Sequence, residues 1–248
     1  MSHLYDTHLH LDLFPQMDKI IETITRDKIY TLGVTNLPPL YLKLRDKINN
    51  KYIRIALGFH PELLNQYKHY IPVMWELLPD CKYIGEVGLD YKSGENRALQ
   101  KSFFEELIHK CDALQDRILS VHTRNSAEDA ISIIGNHFRG SIILHWFSGK
   151  QTDLSRAINQ GNYFSINYAM CISKKGEELI LRVPKERILL ETDAPFVRYN
   201  NSNFTPQYIP EIIHAISRTW GDDFERTKDQ LWANFKKLLQ NTSSTDSD

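Results

Sequence analysis

The chain has 248 residues, 42% of them hydrophobic and 25% charged, which fits one large α/β domain or two modest ones with a sizeable core. A formal charge of −1 supplies no global basic field, which argues against a protein that coats DNA tightly and nonspecifically but does not exclude an enzyme that handles one nucleic-acid end locally. Three separated cysteines, Cys81, Cys111 and Cys171, form no C-x-x-C pair and point to reduced thiols in a cytoplasmic protein, not to a disulfide frame or a thiolate zinc site.

The N-terminal residues lack the basic-then-apolar layout of a signal peptide, and no run approaches the ~18 apolar residues of a membrane span. The chain is therefore expected to begin at Met1 or Ser2 and to have no membrane partner. The first candidate strand is "LYDTHLHL", which carries His8 and His10 between Asp6 and Asp12. A His-x-His pair is weak evidence alone, since histidines often cap, bridge or sit satisfied in a core.

Further short β-branched or apolar runs follow in order: "TLGVTN", "YIRIALGFH", "YIGEVGLD", "ILSVHTR", "SIILHWFS", "YFSINYA" and "ILLETDAP". Amphipathic stretches long enough for helices lie between most of them, including Met17 to Lys28, Ala98 to Ala113, Ala127 to Phe138 and Thr152 to Gln160. Alternating strands and helices imply a parallel sheet. Eight such units in one chain of this length predict an α/β fold, a single (β/α)8 TIM-type barrel over residues 1–240. An open doubly wound sheet is the alternative, but it needs a Gly-rich turn after its first strand, and "THLHLDLF" has none. Residues 197–207, "VRYNNSNFTPQ", are expected to form a long loop, and residues 241–248, "NTSSTDSD", a disordered polar tail.

The barrel gives the opening histidines a role. Residues two apart on a strand share a face, so His8 and His10 both project inward. Barrel active sites gather at the C-terminal strand ends, where Glu86, His122, His145 and Asp193 also fall. Glu86 and Asp193 could be strand-end caps, and His122 and His145 core histidines. Together they are harder to explain so, because carboxylates crowded at one mouth repel unless cations lie between them. Imidazole and carboxylate without thiolate suits Zn, Mn, Fe or Co, with Mg if carboxylates dominate. Six such ligands exceed one tetrahedral ion but fit two divalent metal ions sharing a bridging carboxylate. Four neutral imidazoles and two carboxylates leave a net positive mouth once two such ions bind, suited to a phosphodiester anion.

The motifs "DTHLHLD", "GFHP", "GEVGLDY", "HTR", "HWFSG" and "ETDAPF" occur in this order. In order and spacing they resemble the TatD family of metal-dependent deoxyribonucleases, within the amidohydrolase-like barrels, over nearly the whole chain. The resemblance implies His8, His10, Glu86, His122, His145 and Asp193 as metal ligands. Glu86 would bridge the ions, and Asp193 would also manage the proton of the nucleophilic water. His60 of "GFHP" resembles a position lining the same pocket, as a substrate contact or as a brace of the mouth. The chain departs from the family in carrying Asn125 where an Asp usually follows "HTR". It also lacks the Arg-Asn-Glu-Pro element after the last strand, which puts substrate specificity in doubt more than metal binding. Divergent members occur as partners in Qat-type anti-phage defence operons, which adds other proteins of such an operon as candidate partners.

Arg124, two residues beyond His122, is positioned to clamp a phosphate oxygen through its planar fork, or to form a salt bridge to Asp90 or Glu191. Trp146, Phe147, Phe59 and Tyr91 flank the ligand positions and offer stacking to a terminal base, with core packing expected for at least two. Three functions follow in order of preference. The first is a two-metal hydrolase of DNA phosphodiesters at single-stranded ends. The second is a metal-dependent hydrolase of a small amide, lactone or nucleobase derivative. The third is a TatD-like subunit of a defence complex.

Overall fold

The structure, a computed structural model, describes residues 2–92, 96–200 and 202–240; the polar tail 241–248 lies outside them. Eight strands run in chain order: β1 (Tyr5–Leu9), β2 (Tyr30–Gly33), β3 (Ile53–Ile55), β4 (Tyr83–Asp90), β5 (Ile118–Arg124), β6 (Ser141–His145), β7 (Tyr163–Ile166) and β8 (Ile188–Leu190). All pair in parallel, as β1-β2-β3 and as β4-β5-β6-β7-β8. Backbone contacts cross both seams between these sheets. Leu57 bridges to Ile84 beside β3 and β4, and at the other seam Asp193 N donates to His8 O at 2.9 Å and His10 N to Ala194 O at 3.0 Å. This is the eight-stranded TIM-type architecture the alternation predicts.

The strands are short apolar runs because helices and the barrel interior cover both their faces. β1, β6, β7 and β8 are buried at every position. The side chain of Asp6 also binds across the seam, accepting from Thr192 N at 2.9 Å and Thr192 Oγ1 at 2.6 Å. Burial pushes its carboxyl up to about 7, against those hydrogen bonds. Gly88 lets β4 and β5 approach: a Cβ there would lie 2.2 Å from His122 O, and its φ of +135° suits glycine.

The helices start and stop where local chemistry dictates. Asn96 caps the helix Arg97–Leu114 by accepting from Leu99 N at 3.0 Å. The helix expected to reach Phe138 ends at Ile134, because Gly135 leaves helical space at φ 69°. The loop 197–207 holds a small antiparallel pair, β9 (Arg198–Tyr199) and β10 (Ser202–Asn203). Among the described residues no helix is long and apolar enough to cross a membrane.

Candidate metal centre

The ligand-type residues singled out in the sequence gather around one cavity of about 450 Å³ whose lining includes His10, His60, Glu86, His122, His145 and Asp193; most lie at or just past strand ends, while Glu86 sits midway along β4. His8 sits beneath them and is fully buried. Glu86 is the hub. Its Oε2 lies 3.4 Å from His10 Nε2 and 3.7 Å from His8 Nε2. Its Oε1 lies 2.6 Å from His122 Nδ1, 2.8 Å from His145 Nε2 and 3.5 Å from His60 Nε2. Asp193 Oδ1 stands on the Oε2 side, 3.6 Å from His10 Nε2 and 3.8 Å from His8 Nε2.

The backbone aims these groups. Asp193 and Trp146 follow their strands with φ of 46° and 38°, left-handed values that Asp tolerates and a bulky Trp adopts only when its surroundings hold it. Trp146 N donates to Glu191 Oε1 at 3.1 Å. Behind the donors a second tier fixes ring orientation. Ser120 Oγ is 2.7 Å from His8 Nδ1, and Asp90 Oδ2 is 2.8 Å from His122 Nε2. Glu191 Oε2 is 3.7 Å from His145 Nδ1, while Ser165 Oγ and Asn167 Nδ2 both donate to the Glu191 carboxylate.

The electrostatics of the metal-free cluster are those of a cation site. Burial alone raises the Glu86 carboxyl, but the imidazoles of His60, His145 and His122 outweigh it and hold the group well below the usual carboxylate range. Burial lowers His122 and His145, yet Glu86 outweighs it with help from Asp90 and Glu191, so His122 is raised and His145 lies well above its ordinary value. Burial and the charge of His145 lower His8. Positive charge on the neighbouring imidazoles thus favours the ionised form of a buried carboxylate, as a divalent cation between them would. Donor atoms converge within 4.8 Å in the sets His8, His10, Asp193 and His60, Glu86, His122, with a third set of His8, His145 and Glu191. No thiolate is among them. The residues present fit a divalent metal.

Arg124 lines the same cavity, with Nε 2.9 Å from Asp90 Oδ2 and Nη2 donating to Glu62 Oε1 at 2.8 Å. Of the four aromatics, Phe59 and Phe147 are buried in the core, against Phe103 and Phe164 respectively. The Tyr91 hydroxyl donates to Asp129 at 2.6 Å. Trp146, 37% exposed, faces the cavity. Asn125, at φ 58°, borders a neighbouring cavity instead. Sequence reasoning missed Phe196, which is 56% exposed and edges onto His10 with ring centroids 5.2 Å apart. It also gave no orienting role to Ser120, Asp90 or Glu191, although Ser120 and Asp90 each lie an even number of residues from a ligand on the same strand.

The profile of the TatD related DNase family matches residues 5–240. An uncharacterized metal-dependent hydrolase of Bacillus subtilis, YabD, is 24% identical over 96% of this chain and 99% of its own. The 3'-5' ssDNA/RNA exonuclease TatD of Citrobacter rodentium is 26% identical over 65% of this chain and 66% of its own. Among solved structures, a TatD family hydrolase from Entamoeba histolytica superposes with a TM-score of 0.78 at 17% identity, over 96% of this chain and 98% of that one. The match of nearly the whole chain to the family profile, on a barrel whose mouth gathers imidazoles and carboxylates fit for divalent metal, places the chain in the TatD related DNase family of metal-dependent hydrolases.

Proposed function

We propose that the chain is a two-metal phosphodiesterase that trims single-stranded ends of DNA. The observation that carries this reading is the division of Glu86, whose Oε2 faces His8, His10 and Asp193 while its Oε1 faces His60, His122 and His145. One carboxylate shared by two donor sets is the arrangement that holds a pair of ions. Divalent metal bound there would supply Lewis-acid polarisation of a phosphoryl oxygen and a hydroxide near neutral pH. The exonuclease name of the Citrobacter rodentium relative and the modest charge of the chain support action on flexible ends.

The remaining work falls to residues of the chain. Asp193, with its carboxylate beside both N-terminal histidines, accepts the proton of the attacking water. Asp90 keeps His122 turned onto Glu86 through a hydrogen bond to its far nitrogen, and the Glu191 carboxylate stands 3.7 Å behind His145 Nδ1. Arg124, held between Asp90 and Glu62, contacts a non-bridging phosphate oxygen, and Trp146 and His60 line the space for the terminal nucleotide.

The test is a digestion panel of end-labelled DNA and RNA with protein reconstituted in Zn, Mn or Mg, and with Asp193→Asn as control. Metal-dependent shortening of single-stranded DNA is the expected result. Equal cutting of closed duplex circles and single strands would overturn the end-directed reading, and products from small amides, lactones or nucleobase derivatives alone would replace it with the small-molecule hydrolase. A defence-operon role rests on the sequence resemblance alone; co-purification with operon neighbours and weak isolated activity would favour it.

A further inference from the structure

Lys150, Lys175 and Arg182 are well separated in sequence, but the fold sets them around one groove of about 360 Å³. One wall is the helix Lys174–Arg182, and the other is the turn after β6 that ends at Lys150. The floor is apolar, with Phe147, Leu154 and Leu179 all buried, while the three cationic residues on the rim are exposed. Lys175 and Arg182 are seven residues apart on the helix, so they share a face and stand about 10 Å apart along its axis. Glu178 is the one carboxylate lining the groove.

Their charge is only partly compensated, by Glu178. Lys175 Nζ donates to the Ser148 carbonyl at 2.5 Å, a neutral acceptor. Among the described residues no carboxylate oxygen lies within 4.0 Å of the three cationic groups. On a chain whose formal charge is −1, this concentration of positive charge stands beside the metal mouth, because Ser148 lines both cavities. A cationic rim over an apolar floor matches a ligand with repeated anions and apolar faces.

We propose that this groove is a backbone-binding subsite for single-stranded DNA, holding phosphates beyond the one in the metal mouth. It deepens the exonuclease reading and rests on it for the identity of the strand. A strand fixed at both places enters the mouth in one direction, and substrates too short to reach the groove bind more weakly.

The test separates the groove from catalysis. Fluorescence anisotropy reads binding of a labelled single strand of about twelve nucleotides in chelator, and a dinucleotide reports hydrolysis by metal-loaded protein. The double variant Lys150→Glu/Arg182→Glu is expected to bind the long strand about tenfold more weakly or worse. Its log–log salt dependence should be shallower by roughly 0.7 for each phosphate contact removed. Glu178→Gln should tighten binding about twofold or more, and dinucleotide turnover should stay within about twofold of wild type in both. Long-strand binding unchanged in the double variant overturns the proposal, as does an equal loss on the dinucleotide. If wild-type protein cuts neither substrate, the exonuclease reading fails while anisotropy still decides the groove.

Discussion

Asp90 accepts from His122 Nε2 at 2.8 Å, and the opposite nitrogen of that ring, Nδ1, consequently meets Glu86 Oε1 at 2.6 Å. Asp90 is fully buried and is itself held by Arg124 Nε at 2.9 Å and Lys92 N at 2.9 Å, so turning the ring away would cost one hydrogen bond of a fixed, buried carboxylate. Carboxylates behind metal-facing imidazoles typically govern metal affinity by ~10–100-fold. Asp90→Asn is therefore expected to raise the metal concentration for half-maximal activity by about that factor, with turnover at saturating metal largely retained. A metal titration of dinucleotide hydrolysis reads both. An unchanged midpoint would show that His122 needs no such support.

The strands were legible because a parallel barrel buries them on both faces, and short apolar runs between amphipathic stretches have few other uses. The ligand-type residues were legible for a related reason: the fold sends chemistry to the C-terminal strand ends, where sequence order already places them. What touches what was not. Arg124 finds Glu62, a residue distant in sequence that the turn after His60 delivers to the mouth. Phe147 is buried and Trp146 is 37% exposed on the cavity wall; which of the two faces the mouth depends on how the loop after β6 leaves the strand, at a left-handed φ of 38°. The basic groove needed the same tertiary knowledge, since its cations come from two separate segments.

Metal loading should be measurable without catalysis. Replacing protons on a buried imidazole cluster by divalent ions stabilises the folded chain, because the unfolded chain lacks the convergent site. At 100 times the dissociation constant one site contributes about 2.7 kcal/mol, which for a chain of this size raises Tm by roughly 5–10 °C. Zn or Mn added after chelation should produce that shift, with up to two ions per chain by elemental analysis. In Glu86→Ala the shift should shrink and the second ion should be lost. Folded protein that binds no ion under supplementation would overturn the metal centre.

Trp146 stands 37% exposed on the cavity wall, where its ring is available to a terminal base. Base–aromatic stacking is worth ~1–3 kcal/mol per base, so Trp146→Ala should raise KM for a single-stranded end roughly 5–150-fold with a smaller change in kcat. An oligonucleotide ending in an abasic sugar supplies the control. Its KM should be indifferent to the substitution, and an equal loss on both substrates would assign Trp146 to support of the loop instead.

Asp193 tests chemistry apart from binding. Its Oδ1 lies 3.6 Å from His10 Nε2 and 3.8 Å from His8 Nε2, near enough to hold a metal and still accept a proton from water. Asn keeps the size, one oxygen ligand and a tolerance for the left-handed φ of 46° found there, while losing the charge and the basicity. General-base help contributes ~10²–10⁴-fold, so Asp193→Asn should lose at least that much in kcat with its Tm nearly unchanged in chelator. His145→Ala removes a nitrogen 2.8 Å from Glu86 Oε1 and should chiefly weaken metal binding, so excess metal partly restores it. Rescue of His145→Ala but not of Asp193→Asn assigns the proton to Asp193. If added metal brings Asp193→Asn back to near wild-type turnover, Asp193 is a ligand only, and the proton leaves by another route.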